Sequence, residues 1–136
     1  MGGDEQRKTV MVVDDYEDMR RVTCLALKHA GYRVVEAAGG EEAVELAQAE
    51  LPDLIIMDLS MPHLDGFETI HRIRRLLGLR DVSVIAFSAH TAQEVRDDAL
   101  AAGCREFLPK PVNLEVLKAA VERCLRCGAP EGLAQS

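Results

Sequence analysis

The 136-residue chain lacks the features that would point to a membrane or to nucleic acid. No stretch approaches the roughly 18 consecutive apolar residues of a membrane-spanning helix. The opening residues MGGDEQRKT contain no apolar core of a secretory signal, and position 6, where N-myristoylation needs Ser or Thr, is Gln6. A formal net charge of −7 argues against binding to nucleic acid or to an anionic membrane. We therefore expect neither partner.

Disulfide-framework spacing is also missing. The four cysteines, Cys24, Cys104, Cys124 and Cys127, fall on three separate predicted elements, which favours a reduced, cytoplasmic protein. The last two spell CxxC, but they end a predicted helix instead of opening one after a strand, which argues against a redox motif.

What the chain does contain is a fivefold alternation of apolar runs and amphipathic stretches. Short apolar runs of this kind are typical of strands buried on both faces. Five strand–helix units with short connections predict an α/β fold, a doubly wound parallel five-stranded sheet with helices on both faces. The predicted strands are Thr9–Val13, Arg33–Ala37, Leu54–Met57, Val82–Phe87 and Glu106–Leu108.

Each predicted strand is followed by a helical pattern with recognisable ends. The first carries Met19, Val22, Ala26 and Ala30 at helical spacing and stops at Gly31, a residue typical of helix C-termini. The others cover about Glu41–Glu50, about Gly66–Leu77, a stretch from the capping box Thr91/Glu94 to Gly103, and a stretch that opens with Asn113.

Polar residues stand at four of the five strand ends. Asp14-Asp15, Asp58, Ser88 and Lys110 follow strands one, three, four and five. In open α/β sheets the functional crevice lies at the carboxyl ends of the strands, so these groups converge. Three clustered carboxylates need a compensating cation, and oxygen-only ligands indicate Mg²⁺. With a lysine and a hydroxyl beside it, such a site suits a phosphoryl group, and a carboxylate can act as its nucleophile.

In these motifs the chain resembles the receiver domain of bacterial two-component response regulators, in the single-domain form of chemotaxis regulators. The resemblance covers about residues 8–126 and implies a flavodoxin-like (βα)5 fold with sheet order 2-1-3-4-5. We expect a flexible N-terminus over 1–7, a receiver domain over 8–127 and a flexible tail or linker over 128–136. The matching segments are VVDDYED (12–18), IIMDLSMPHLDG (55–66), IAFSAH (85–90) and FLPKP (107–111).

The resemblance also implies a role for each site residue. Asp58 corresponds to the phosphoacceptor, and Lys110 and Ser88 to the groups that contact the phosphoryl oxygens. The implied Mg²⁺ ligands are Asp15, Asp14 through a water molecule, Asp58 and the backbone carbonyl of Ser60. Ser88 and Phe107 correspond to the switch pair. Ala89, His90 and Pro111 flank the site, with Pro111 where the family often has a cis peptide bond.

The implied function is acceptance of a phosphoryl group from a histidine kinase or a phosphotransfer protein, followed by slow self-catalysed hydrolysis. Because no free substrate is turned over, we do not expect an enzyme in the ordinary sense. The implied partner surface, formed by the fourth helix, the fifth strand and the fifth helix, contacts a downstream protein or a second copy of the chain.

Alternatives remain. A haloacid-dehalogenase-type phosphatase also uses a strand-end aspartate with Mg²⁺, but its second, acid-donating Asp would stand at Ser60. A phosphorylation-independent binding module on the same fold would be indicated by loss of Asp58 or Lys110, and both are present. A dinucleotide-binding protein is excluded because Gly39-Gly40 lacks the G-x-G-x-x-G pattern.

Overall fold

Strands and helices alternate without exception along the described part of the chain. The computed structural model describes residues 7–60, 66–76, 78–89 and 93–127, apart from the side chains of Glu94 and Cys127. In chain order the elements are β1 Thr9–Val13, α1 Glu17–His29, β2 Arg33–Ala37, α2 Gly40–Glu50, β3 Leu54–Asp58, α3 Gly66–Arg74, β4 Ser83–Ser88, α4 Gln93–Ala101, β5 Glu106–Pro109 and α5 Leu114–Cys127. Within these residues no helix combines the length and the apolar character that crossing a bilayer requires.

The five strands form one parallel sheet in the order β2-β1-β3-β4-β5. This confirms the predicted doubly wound α/β fold and its strand order. The chain leaves β1 in one direction to form β2 and later returns to the other side of β1 with β3. Val13 pairs with Met57 in the register of β1 and β3. Asp14, which follows β1, and Asp58, the last residue of β3, therefore lie side by side at the carboxyl edge of the sheet.

The strand residues contribute alternately to two hydrophobic cores, one on each face of the sheet, because successive side chains in a strand point to opposite faces. On one face Met11, Ile55 and Val84 pack against α2, α3 and α4, whose buried residues include Ala43, Ala47, Ile70, Ile73 and Ala99. On the other face Val10, Ile56 and Ile85 pack against α1 and α5, whose buried residues include Cys24, Leu27, Leu117, Ala120, Val121 and Cys124.

Several helix ends form where the sequence predicted them. Gly31 and Gly103 adopt positive φ angles of 102° and 96° directly after the last turns of α1 and α4, a conformation that a residue without a Cβ adopts at little cost. Helix α2 stops at Glu50, and Leu51 caps it in the left-handed region with φ 48°. Helix α3 ends at Arg74, earlier than the predicted Leu77, which lies outside the described residues.

The buried residues of α1 are not the apolar residues whose spacing predicted this helix. Val22 is 47% exposed, whereas Thr23, Cys24 and Leu27 are buried against the sheet. The buried face contains a hydroxyl and a thiol, so hydrophobic spacing alone did not identify it. Predictions for residues 1–6, the tail 128–136, His90, the capping residue Thr91 and Ala92 fall outside the described residues.

Candidate acidic site at the carboxyl edge of the sheet

Three carboxylates meet where β1 and β3 end. Asp58 is the last residue of β3, and Asp14 directly follows β1, where its N–H donates to Ala37 O of β2 at 3.1 Å. Asp14 and Asp58 are each only 2% exposed, whereas Asp15 is exposed. One carboxylate oxygen from each of the three lies within 4.8 Å of the others. The parallel sheet therefore brings together residues that are 43 or more positions apart in the chain.

Among the described residues, one ammonium group contacts this cluster, and it comes from the end of β5. Lys110 follows β5, and its Nζ donates to Asp58 Oδ2 at 2.7 Å, with the two side chains 19% and 3% exposed. The Lys110 N–H donates to the carbonyl of Ser88 at 2.8 Å, which fixes the start of the lysine side chain beside the end of β4. The structure thus places Asp58, Lys110 and Ser88 at one edge, as predicted; Ser88 is 1% exposed.

The loops around Asp58 are joined by two hydrogen bonds. The Ser60 N–H donates to Asp58 Oδ1 at 2.8 Å, so both carboxylate oxygens of Asp58 have donors. The Ala89 N–H donates to the Ser60 hydroxyl at 2.8 Å and ties the loop after β4 to the loop after β3. This hydrogen bond was not predicted from the sequence.

Asp14 is the electrostatically unfavourable member of the cluster. The pKa of its carboxyl is raised from 3.8 to about 6 by the sum of several causes. Burial is the largest and raises the pKa, the Tyr16 N–H that donates to Oδ1 at 2.9 Å lowers it, and the negative charge of Asp58 raises it. A shift of this size corresponds to about 3 kcal/mol against the ionised form in the folded protein. Lys110 lowers the pKa as the weakest contribution.

The donor set fits Mg²⁺. Among the described residues, three carboxylates face the ammonium group of Lys110, so a divalent cation would neutralise the remaining negative charge. The cation would also lower the raised pKa of Asp14. All the candidate ligands are oxygen atoms, and the exposed Asp15 leaves the site open to water, which Mg²⁺ retains in its coordination shell.

A charged pair behind the cluster was missed by the sequence analysis. Arg20 of α1 donates from Nη1 to the backbone carbonyl of Asp14 at 2.9 Å and from Nε to Glu36 Oε1 at 2.9 Å. Its side chain is only 14% exposed, and Glu36 raises the pKa of the guanidinium. The available signal was its spacing, since Arg20 stands four and seven residues before the buried Cys24 and Leu27 and so shares their helix face.

Two flanking predictions concern β5 and the bond that follows it. Phe107 is 6% exposed and lies in the core beneath α4, with the guanidinium carbon of Arg96 5.1 Å from its ring centroid. The Lys110–Pro111 peptide bond is cis, which confirms that prediction. Ala89 lies at the site, as the Ser60 contact shows, whereas His90 is outside the described residues.

Comparison with known proteins agrees with this geometry. The family model described as response regulator receiver domain matches residues 10–122. An uncharacterized 14.6 kDa protein of Leptolyngbya boryana is 38% identical, over 85% of this chain and 89% of its own length. Longer transcriptional and response regulators are 33% to 34% identical, and the chain spans about half of their length, 47% to 54%.

Solved structures show the same fold. The chemotaxis protein CheY4 of Vibrio cholerae superposes with a TM-score of 0.81 at 32% identity and covers 86% of this chain and 98% of its own. The receiver domain of the sensor histidine kinase PA1611 of Pseudomonas aeruginosa superposes with a TM-score of 0.79 at 32% identity, covers 88% and 98% of the two chains, and holds a magnesium ion in its active-site cleft.

Proposed function

The chain belongs to the response regulator receiver domain family, and from this we propose that Asp58 is its phosphoacceptor. The observation that carries the assignment is the 2.7 Å contact between Lys110 Nζ and Asp58 Oδ2 inside the cluster of Asp14, Asp15 and Asp58. A buried carboxylate at a strand end, with an ammonium group on one oxygen and a cation site beside it, is arranged for phosphoryl transfer.

The proposed reaction is an in-line transfer. A carboxylate oxygen of Asp58 forms a bond to the phosphorus of a phosphohistidine on a histidine kinase or phosphotransfer protein, and the phosphorus–nitrogen bond breaks with its electron pair going to the histidine. Lys110 and Ser88 are placed to contact the oxygens of the transferred group, and they offset its charge in the transition state. Water later attacks the phosphorus and releases phosphate from Asp58.

Mg²⁺ would be held by Asp15 directly, by Asp14 through water, by Asp58 and by the carbonyl of Ser60, and it supplies charge compensation for the phosphoryl oxygens. This ligand set is a proposal supported by the carboxylate cluster and by the magnesium in the similar PA1611 receiver domain. Receiver domains are generally not enzymes, and we propose that this chain undergoes only its own phosphorylation and slow dephosphorylation, in the cytoplasm.

The test is labelling with acetyl phosphate or a phosphorylated kinase in the presence of Mg²⁺, followed by intact mass measurement. The unchanged chain should gain one phosphoryl group, Asp58→Asn should gain none, and EDTA should prevent the gain. Asp53→Asn is the matched control, because Asp53 lies at the other edge of the sheet and accepts the Thr9 N–H through Oδ2 at 2.8 Å. Labelling of the Asp58 variant at the control rate would refute the assignment.

We also propose that phosphorylation reaches a partner through Ser88 and Phe107. Phosphorylation adds roughly −1.5 to −2 charge beside Ser88. Movement of Ser88 would change the packing of Phe107 beneath α4, whose inward residues Val95 and Ala99 are small or medium-sized. The face formed by α4, β5 and α5 would then contact a downstream protein or a second copy.

Amide hydrogen exchange with and without beryllofluoride, a phosphoryl mimic, tests this switch. Changes should concentrate in residues 88–112, and Ser88→Ala should reduce them while Asp58 is still labelled. Changes confined to α1 and α2 would show that the switch lies elsewhere.

A further inference from the structure

Arg20 binds the backbone carbonyl of Asp14, which belongs to the peptide unit that joins Asp14 to Asp15. The N–H of Asp14 is bound to Ala37 O of β2, and its carbonyl accepts from Arg20 Nη1 at 2.9 Å. The side chain of Asp14 is fixed separately, because Oδ1 accepts the Tyr16 N–H. The guanidinium is itself anchored on Glu36 Oε1 at 2.9 Å, so β1, β2 and α1 are joined at one point.

We propose that Arg20, anchored by Glu36, is a positioning residue for Mg²⁺ binding that sets the orientation of Asp15. A peptide unit is planar, so fixing the Asp14 carbonyl also fixes the N–H and the Cα of the next residue. Asp15 is exposed and its carboxylate must nevertheless stay within 4.8 Å of the other two. The inference rests on the proposed function, in which Asp15 is the direct ligand.

The charge of Arg20 and its hydrogen-bond geometry predict opposite effects on Mg²⁺ affinity when Arg20 is replaced, which makes the proposal testable. Arg20 is a cation beside a cation site, so its charge alone opposes Mg²⁺, and its removal would tighten binding. Loss of an outer hydrogen-bond partner that orients a ligand instead weakens metal affinity by about 10- to 100-fold. The sign of the change in affinity therefore distinguishes a positioning residue from a neighbouring charge.

The experiment is a Mg²⁺ titration of the unphosphorylated chain by calorimetry and by NMR of backbone amides. The Mg²⁺ dissociation constant of Arg20→Met should rise by about 10-fold or more. Arg20→Lys should not restore affinity, although it keeps the charge, because one ammonium cannot reproduce the planar two-armed contact with Glu36 and the carbonyl. Glu36→Gln keeps an acceptor for Nε and should bind close to the unchanged chain.

Arg33→Met is the matched structural control. Arg33 starts the same strand, β2, at its other end and pairs with Glu50 Oε1 at 2.6 Å. It should lower the melting temperature in EDTA without changing Mg²⁺ affinity. Labelling by acetyl phosphate gives an independent readout: Arg20→Met should need more Mg²⁺ for half-maximal rate but reach the rate of the unchanged chain at saturation, because Asp58 and Lys110 are not altered.

The outcomes separate this inference from the proposed function. If the unchanged chain binds Mg²⁺, Asp15→Asn does not, and Arg20→Met binds equally or more tightly, Arg20 is only a nearby charge and the inference is wrong. A lower saturated labelling rate in Arg20→Met would contradict it too, because the effect would then lie on Asp58. If the unchanged chain binds no Mg²⁺, both the ligand assignment and the inference fail. Should Arg20→Met not fold, Arg20→Lys alone decides, and affinity equal to that of the unchanged chain overturns the inference.

Discussion

The amino and carboxyl edges of the sheet differ in the way that their charged side chains are paired. At the amino edge, where the strands begin, Arg33 pairs with Glu50, and the Asp53 carboxylate accepts the Thr9 N–H. At the carboxyl edge, one carboxylate oxygen from each of Asp14, Asp15 and Asp58 lies within 4.8 Å of the others, beside Lys110. One edge is arranged for stability, and the other accepts electrostatic repulsion that a bound cation would relieve.

Two ion pairs, one at each edge, have similar lengths but differ in burial. The Lys110–Asp58 contact and the Arg33–Glu50 contact measure 2.7 Å and 2.6 Å. Their side chains are 19% and 3% exposed in the first pair and 49% and 29% in the second. Because burial determines what the loss of one partner costs, distance alone does not rank the two pairs.

The largest effect should therefore come from Lys110→Met. Removal of the ammonium leaves the buried Asp58 carboxylate among like charges, so the free energy of unfolding in EDTA at pH 7 should fall by about 3 kcal/mol. Arg33→Met, at the exposed pair, should lose less than about 1 kcal/mol. Urea denaturation measures both.

Mg²⁺ should restore much of the stability of Lys110→Met, because the cation compensates the same carboxylates. It should not reduce the loss in Arg33→Met, which lies at the other edge. Equal losses in the two variants, or equal recovery with Mg²⁺, would show that the two edges do not differ in this way.

The next effect should have the opposite sign and comes from Asp14→Asn. The pKa of Asp14 is raised from 3.8 to about 6, so between these pH values the unfolded chain has released the proton and the folded chain retains it. The stability of the metal-free protein should consequently fall as pH rises through this window and stay lower above it. Removing the charge should raise the free energy of unfolding at pH 7 by up to about 3 kcal/mol.

Asn keeps an oxygen that can accept the Tyr16 N–H, so the variant changes charge more than structure. Urea denaturation in EDTA at several pH values between 4 and 7 is the measurement. A slope against pH equal to that of the unchanged chain would mean that Asp14 is not the group responsible.

Apolar runs in the sequence were enough to predict that polar residues meet at the carboxyl edge, whereas the strand order 2-1-3-4-5 was predicted through the family resemblance. Asp58 and Lys110 follow apolar runs, and a parallel sheet brings such strand ends together whatever their distance along the chain. The cis Lys110–Pro111 bond was predicted only through the family resemblance.

Contacts that depend on side-chain pairing were not predictable. Arg20 is partly buried because Glu36 and the Asp14 carbonyl accept hydrogen bonds from its guanidinium, and neither partner belongs to its helix. Val22 contributed to the helical spacing that predicted α1 and is exposed, whereas the buried positions Thr23 and Cys24 are less apolar and gave a weaker signal. Periodicity measures hydrophobicity and does not show which polar groups find partners.

A smaller effect than those of Lys110→Met and Asp14→Asn should come from Arg74→Met at the amino edge. Arg74 Nη2 donates to the carbonyls of Val82 at 2.9 Å and Gly103 at 3.1 Å, and so joins the end of α3 to the turns before β4 and β5. Its Nε is buried without a hydrogen-bond partner, so part of the loss is offset when the guanidinium is removed. We expect the free energy of unfolding to fall by about 1 to 2 kcal/mol.

A double-mutant cycle with Gly103→Ala shows whether that loss comes from the proposed contact. A Cβ at residue 103 would lie 2.9 Å from Arg74 Nη1, and the residue has φ +96°. Gly103→Ala should therefore cost less in the Arg74→Met background, where only the backbone strain remains. Both variants should keep the Mg²⁺-induced rise in melting temperature of the unchanged chain, because neither touches the acidic cluster. A reduced Mg²⁺ response in either would show that the two edges are coupled, and the contrast between them would then fail.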